Sequence, residues 1–336
     1  MKRYFWTENK QLEHRVKCFF DTIEEYNQRE FEGGISMLLL GSMSRGEASW
    51  KNIDGIDTIV SDIEVMTLLP QDFTKIDRLY EVFEESKKKC FVDQNSSLFH
   101  IDYCVCKNNY DLSRMEKKLL TYDAYVFAYT VVGNDYKQTL PKVTYFNINM
   151  QDLWEVLVHR IFSVLYWGRP LKKEGKEEEY RYNLAKNSLD LMIVLLVNHG
   201  RLVSGFANRL EAIRKLDVSK DIKNYFEFCL SVKFSSDCSY SYSVDEMENM
   251  FINLIEQLNN NFKCHVENYL RNLKSISKRR AGQIKRMIIS KHLPSSQKEH
   301  LRMMIQLFKA NKNLSKKNLL DNYVLNGYPN YEIISL

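Results

Sequence analysis

Apolar residues recur at helical spacing near the start of the chain. Leu12, Val16, Phe19, Phe20, Ile23 and Tyr26 fall on one side, and Gly33-Gly34 stops the run. The spacing predicts an amphipathic helix. Ile35 to Leu40 is a continuous apolar stretch of strand length, and Ile59 to Leu69, closed by Pro70, is a second. Helical spacing returns from Asp72 to Lys88, with Phe73, Ile76, Leu79, Tyr80 and Phe83 on one side. Between Leu98 and Val105 the period drops to two. Phe99, Ile101, Tyr103 and Val105 alternate with His100, Asp102 and Cys104, which predicts a third strand. A helix and a short strand between Leu112 and Asn134 complete this half, and Lys137 to Thr144, with Pro141, reads as a linker.

Beyond Asn149, a candidate N-cap, the pattern is almost wholly helical. Leu153, Leu157, Ile161, Val164 and Leu165 make one stripe, and Leu184, Leu189, Met192, Ile193 and Leu196 another, ended by Gly200. Further helices are expected over Asp221 to Leu230, Val244 to Met287 and Ser295 to Lys309. The chain therefore reads as two domains. Residues 1–145 form an α/β (α+β) domain with a short mixed sheet, and residues 146–336 form an all-α helical bundle.

Composition narrows the picture modestly. With 44% hydrophobic residues in 336, the chain can bury one large core or two, and only five prolines and twelve glycines argue against a disordered or fibrous character. A net charge of +5 permits anionic substrates without demanding a nucleic acid. Seven scattered cysteines without a zinc-like CxxC pair suit reduced thiols in the cytoplasm. The charged, polar start lacks the apolar core of a signal peptide, and the apolar run Leu191 to Val197 is too short to cross a bilayer, so no membrane association is expected.

The chemistry concentrates in two places. The apolar run Leu38-Leu39-Leu40 ends in Gly41-Ser42-Met43-Ser44-Arg45-Gly46-Glu47, a turn rich in backbone N–H groups and hydroxyls that suits phosphate. Further on, Ser61-Asp62-Ile63-Glu64-Val65 places two carboxylates two residues apart, hence on one strand face, with Ile63 and Val65 on the other. Adjacent carboxylates repel unless a cation lies between them, and magnesium prefers such hard oxygen ligands. The pair and the turn together read as a metal-dependent nucleotide site.

Gly41-Ser42 followed by Asp62-Ile63-Glu64 resembles the signature of the nucleotidyltransferase fold, the superfamily shared with DNA polymerase beta. The Ser-Asp-Ile-Glu wording is similar to that of small-molecule nucleotidyltransferases that modify antibiotics, and Arg45-Gly46-Glu47-Ala48 resembles bacterial members of the superfamily. The sequence departs from the pattern in one respect. Nineteen residues, Met43 to Ser61, separate the two motifs where the superfamily commonly has about a dozen, which reads as a loop insertion over Ser49 to Thr58.

The resemblance implies transfer of a nucleoside monophosphate from a nucleoside triphosphate, ATP by default, to a hydroxyl of a small-molecule acceptor. Asp62, Glu64 and, on the third strand, Asp102 would be the catalytic carboxylates and the ligands of two magnesium ions about 4 Å apart. Ser42 and Ser44 would meet the phosphates beside Gly41, with Arg45 adding charge, although Arg45 equally suits an ion pair with Glu47. Trp50 suits a cover for the loop better than a base-stacking platform. Lys186, on a later helix face with Tyr182 and Asp190, resembles the lysine that superfamily members bring to the triphosphate; a surface Lys186–Asp190 pair is the plain alternative. The basic run Lys274 to Lys291 reads first as a solvated helix face, with nucleic-acid contact as its rival. Cyclic oligonucleotide synthesis, toxin-like modification of tRNA or protein, and nucleotide binding without turnover are the alternative functions.

Overall fold

In a computed structural model the described residues are 3–53, 55–94, 99–106, 112–148, 150–235 and 241–272. The basic run Lys274 to Lys291 and the helix expected over Ser295 to Lys309 lie outside them, as does Asn149. The chain divides into two compact units, Met1–Thr144 with Phe234–Cys238, and Tyr145–Lys233 with Ser239–Leu336.

The first unit is mixed α+β. Helix α1 (Lys10–Glu30) starts at Asn9, whose side chain accepts the Leu12 N–H, and it buries Leu12, Val16, Phe19, Phe20 and Ile23 as its spacing dictates. It ends in a turn that includes Gly33 at φ 70°. Buried Asn27 fixes the angle at which the chain leaves the helix. Its amide donates to the Ile35 carbonyl at 2.9 Å and accepts the Ile35 N–H at 3.0 Å. Strand β1 (Ser36–Leu39) follows, then a single helical turn, α2 (Gly41–Ser44).

A four-stranded sheet, in the order Ile101–Cys106, Ile63–Leu68, β1, Tyr129–Val132, forms the centre of this unit. Strand β4 (Ile63–Leu68) runs antiparallel to β1, whose other side pairs antiparallel with β6 (Tyr129–Val132). From β4 the chain returns through helix α3 (Ile76–Cys90) to β5 (Ile101–Cys106), which pairs parallel with β4, as a crossover helix permits. Two cores divide the faces of this sheet. Met37, Leu39, Ile63 and Val65 face α1 and α3, while Leu38, Leu40, Met66 and Leu68 pack with Ala124 of helix α4 (Leu119–Phe127) and with Leu112, Ala128 and Leu140.

Two expectations need correction. Ile59 to Leu69 is not one strand, and Ser49 to Thr58 is not a plain loop. Strands β2 (Trp50–Ile53) and β3 (Ile56–Ile59) form an antiparallel hairpin of their own, turning at Gly55 with φ 83°. The hairpin is anchored to its surroundings. Asp57 accepts from Asn52 at 2.9 Å and from Asn9 at 2.8 Å, and the Trp50 indole donates to the Thr7 carbonyl at 3.1 Å. Trp50 thus packs as cover. The chain then changes sheets over Val60–Asp62, where the Ser61 hydroxyl accepts the Ser49 N–H at 2.8 Å. The extra residues between the two motifs are an ordered appendage.

In the second unit the regular elements among the described residues are helices: α5 (Met150–Ser163), a π-helical turn (Val164–Gly168), α6 (Arg169–Lys173), α7 (Glu177–Asn198), α8 (Phe206–Arg214), α9 (Lys220–Phe234) and α10 (Val244–Asn272). Helix α7 is central and buried nearly all round, so its composition carries little amphipathic contrast. The two apolar stripes expected here are buried in full. Ser188 of α7 meets the Tyr225 hydroxyl of α9 at 2.8 Å, and that hydroxyl donates to the Met247 carbonyl of α10 at 3.3 Å. One short chain of polar contacts therefore ties three helices together.

Candidate active site

The site residues of the first unit gather where β1 ends beside the start of β4. At Leu40 the chain leaves β1, and the Leu40 N–H donates to the Glu64 carbonyl at 2.8 Å. Gly41 then takes φ 61°, a conformation that L side chains rarely adopt. A Cβ on Gly41 would also sit 2.6 Å from Glu64 Cδ, so a side chain there would push the Glu64 carboxylate aside. The single turn of α2 is closed by the Ser44 hydroxyl donating to the Gly41 carbonyl at 2.9 Å, and the Ser42 carbonyl accepts the Glu47 N–H at 2.8 Å.

Glu64 and Asp102 are register partners on the parallel strands β4 and β5. Ile63 and Val65 point into the α1/α3 core with Ile101 and Tyr103 packed against it, so strand alternation turns Glu64 and Asp102 to the opposite face. Asp62 immediately precedes β4, next to the Ile63 N–H that donates to the His100 carbonyl at 3.0 Å. Exposure grades across the trio, since Asp62 and Glu64 are half-buried and Asp102 is exposed.

Arg45 forms the ion pair that its spacing from Glu47 allowed, Nε to Oε2 at 2.7 Å, and also reaches Asp123 of α4 at 3.5 Å. Its side chain is only 7% exposed. Burial opposes the charge on this guanidinium, but Asp123, Glu47 and, more weakly, Glu64 outweigh it and raise its pKa. The turn thus carries a buried positive charge that acts on Glu64. Asp123, 78 residues from Arg45, had no signal in the sequence, because nothing in its spacing announces its partner.

Among the described residues, no group of three or more His, Cys, Asp or Glu side chains converges as a metal site. The chemistry of the donor set nonetheless suits a divalent ion. Asp62, Glu64 and Asp102 offer only hard carboxylate oxygens, and two of the three are neighbours across a strand pair.

Lys186 belongs to the second unit, half-buried on α7. Asp190, one turn further along, pairs with Arg160 of α5 at 3.2 Å. His159 lies in the same charged neighbourhood. Burial first, then Arg160 and Lys186, lower its pKa to about 3 against the opposing pull of Asp190.

No helix among the described residues is long and apolar enough to cross a membrane. Neither a protein-family model nor a curated relative matches the sequence. Among solved structures, the chain is similar to a spectinomycin adenyltransferase from Enterococcus faecialis, crystallised with ATP and spectinomycin. The two share 13% identity, with a TM-score of 0.42 and coverage of 73% of this chain and 98% of that one.

Proposed function

We propose that this chain is a magnesium-dependent nucleotidyltransferase that moves a nucleoside monophosphate from a nucleoside triphosphate, ATP by default, to a hydroxyl of a small molecule. The observation that carries the reading is the placement of Glu64. It is the register partner of Asp102, and its carboxylate lies against the left-handed glycine of the phosphate-type turn.

Asp62, Glu64 and Asp102 would hold the magnesium ions, which when bound neutralise charge on the triphosphate and on the attacking oxygen. The chain's own groups do the rest. The turn at Gly41–Ser44 offers N–H groups and hydroxyls to the phosphates, and Arg45, paired with Glu47 and Asp123, braces that turn from behind. Asp102, the exposed carboxylate, takes the proton of the acceptor hydroxyl as its oxygen attacks the α-phosphorus and pyrophosphate leaves.

The test is Asp62→Asn in the full chain, given each triphosphate with candidate hydroxyl acceptors. Pyrophosphate release falls by about 100-fold or more while the fold, read by circular dichroism, is kept. Undiminished release would overturn the assignment.

A further inference from the structure

Two thiols from distant parts of the sequence meet on the side of the sheet away from the acidic residues. Cys18 lies in the middle of α1, and Cys90 is the last residue of α3. Their sulfurs are 3.1 Å apart, with the Cys90 S–H donating to Cys18. Both are free.

The surroundings fix this approach. Thr22, one turn beyond Cys18 on α1, brings its hydroxyl to 4.0 Å from Cys90 Sγ, and Lys89 donates to that hydroxyl at 3.3 Å. Just past α3, Asp93 forms a bidentate ion pair with Arg15, one turn before Cys18 on the same face of α1. The end of α3 is thus pinned to α1 on both sides of the sulfur pair. The two thiols also differ. Cys90 is buried, and burial together with the Cys18 sulfur raises its pKa to about 11, whereas Cys18 is half-exposed.

We infer that Cys18 and Cys90 form an oxidisable dithiol, a modification site at which a peroxide converts the two thiols to a disulfide. Cys18, the more accessible of the two thiols, reacts first, since reactivity follows exposure. The Cys18 thiolate attacks a peroxide oxygen, the O–O bond breaks, and Cys18 becomes a sulfenic acid while hydroxide leaves. The Cys90 sulfur then attacks the Cys18 sulfur, forms the S–S bond and expels the sulfenic hydroxyl as water, with the Cys90 proton. Two thiols lose two electrons and hydrogen peroxide gains them, giving two waters in all. The sulfurs start 3.1 Å apart, so they have only about 1 Å to close to reach bonding distance.

The bond would join residues 72 apart in sequence and staple the two helices that cover one face of the sheet. Closing so long a loop restrains the unfolded chain strongly.

The experiment treats the reduced full-length protein with hydrogen peroxide, blocks remaining thiols with iodoacetamide, and maps non-reduced peptides by mass spectrometry. The expected product is a Cys18–Cys90 linked peptide pair, 2 Da lighter than the sum of its thiol forms, reversed by dithiothreitol. The thermal midpoint of the oxidised protein should rise by about 5 °C. In Cys90→Ser the second step is missing, so dimedone should label Cys18 after peroxide treatment. Two results would overturn the inference: peroxide oxidising other cysteines while Cys18 and Cys90 stay alkylated as free thiols, or a Cys90→Ser protein whose Cys18 takes no dimedone.

Discussion

The Glu64 carboxylate lies so close to the Cα of Gly41 that a methyl group there would sit 2.6 Å from Glu64 Cδ. The same glycine has φ 61°. A side chain at Gly41 would therefore strain the backbone and push the Glu64 carboxylate aside, where the proposed phosphate turn meets the proposed metal ligand.

Gly41→Ala should consequently damage both fold and site. The left-handed conformation alone costs a non-glycine residue about 1 to 2 kcal/mol, before Glu64 is displaced. Urea unfolding should show a loss of about 2 kcal/mol, and the KM for triphosphate should rise. A variant as stable as the parent would mean that the turn does not need glycine.

Glu64 and Asp102 should respond differently to neutralisation although they face each other across the strand pair. Asp102 is exposed, so Asp102→Asn should shift stability by less than about 0.5 kcal/mol while removing pyrophosphate release. Glu64 is half-buried within the field of Arg45, so Glu64→Gln should lower both. Denaturant midpoints beside turnover separate the two patterns. An Asp102→Asn protein with normal turnover would remove it from the proposed machinery.

The first half of the fold was legible because its apolar runs have strand or helix length and end at Gly or Pro. Met37, Leu39, Ile63 and Val65 alternate with Leu38, Leu40, Met66 and Leu68, and the two sets enter different cores. The same alternation puts Glu64 and Asp102 on one face, but their register is set by how β4 and β5 pair. The β2–β3 hairpin is faint in the sequence, although Asp54-Gly55 between Ile53 and Ile56 is a hairpin signal. Its strands are only four residues each, too short for alternation to stand out from a polar loop. Arg45–Asp123 had no local signal at all. Helix α7 was visible as a helix, but burial on all sides hid which of its faces meets which neighbour.

The buried charges around Arg45 lead to a third prediction. Its partner Glu47 has a side chain only 8% exposed, and Asp123 only 19%. Arg45→Met takes the guanidinium away from both carboxylates, and breaking a buried pair from one side costs about 3 to 5 kcal/mol. Adding Glu47→Gln to that variant removes one of those charges and should restore part of the loss. A single variant that unfolds at the parental denaturant concentration would show that the pair contributes nothing to stability.

His159 predicts a pH dependence that can be isolated. In the unfolded chain its imidazole titrates near 6.5, whereas in the folded protein burial, Arg160 and Lys186 hold it to about 3 against the pull of Asp190. Between those values the unfolded chain binds a proton that the folded protein refuses. The unfolded state thus carries more protons, and stability falls as pH drops. The contribution is complete above about pH 6.5 and declines by about 1.4 kcal/mol per unit below it, until the folded imidazole itself titrates. Other groups, carboxylates above all, also change stability on acidification, so the measurement is a difference. Urea unfolding of the parent and of His159→Gln at pH 7 and pH 5 should show the parent losing about 2 kcal/mol more than the variant over that interval. Equal losses in the two proteins would mean that His159 takes up its proton as readily folded as unfolded, and that the charged neighbourhood of α5 and α7 does not exclude it.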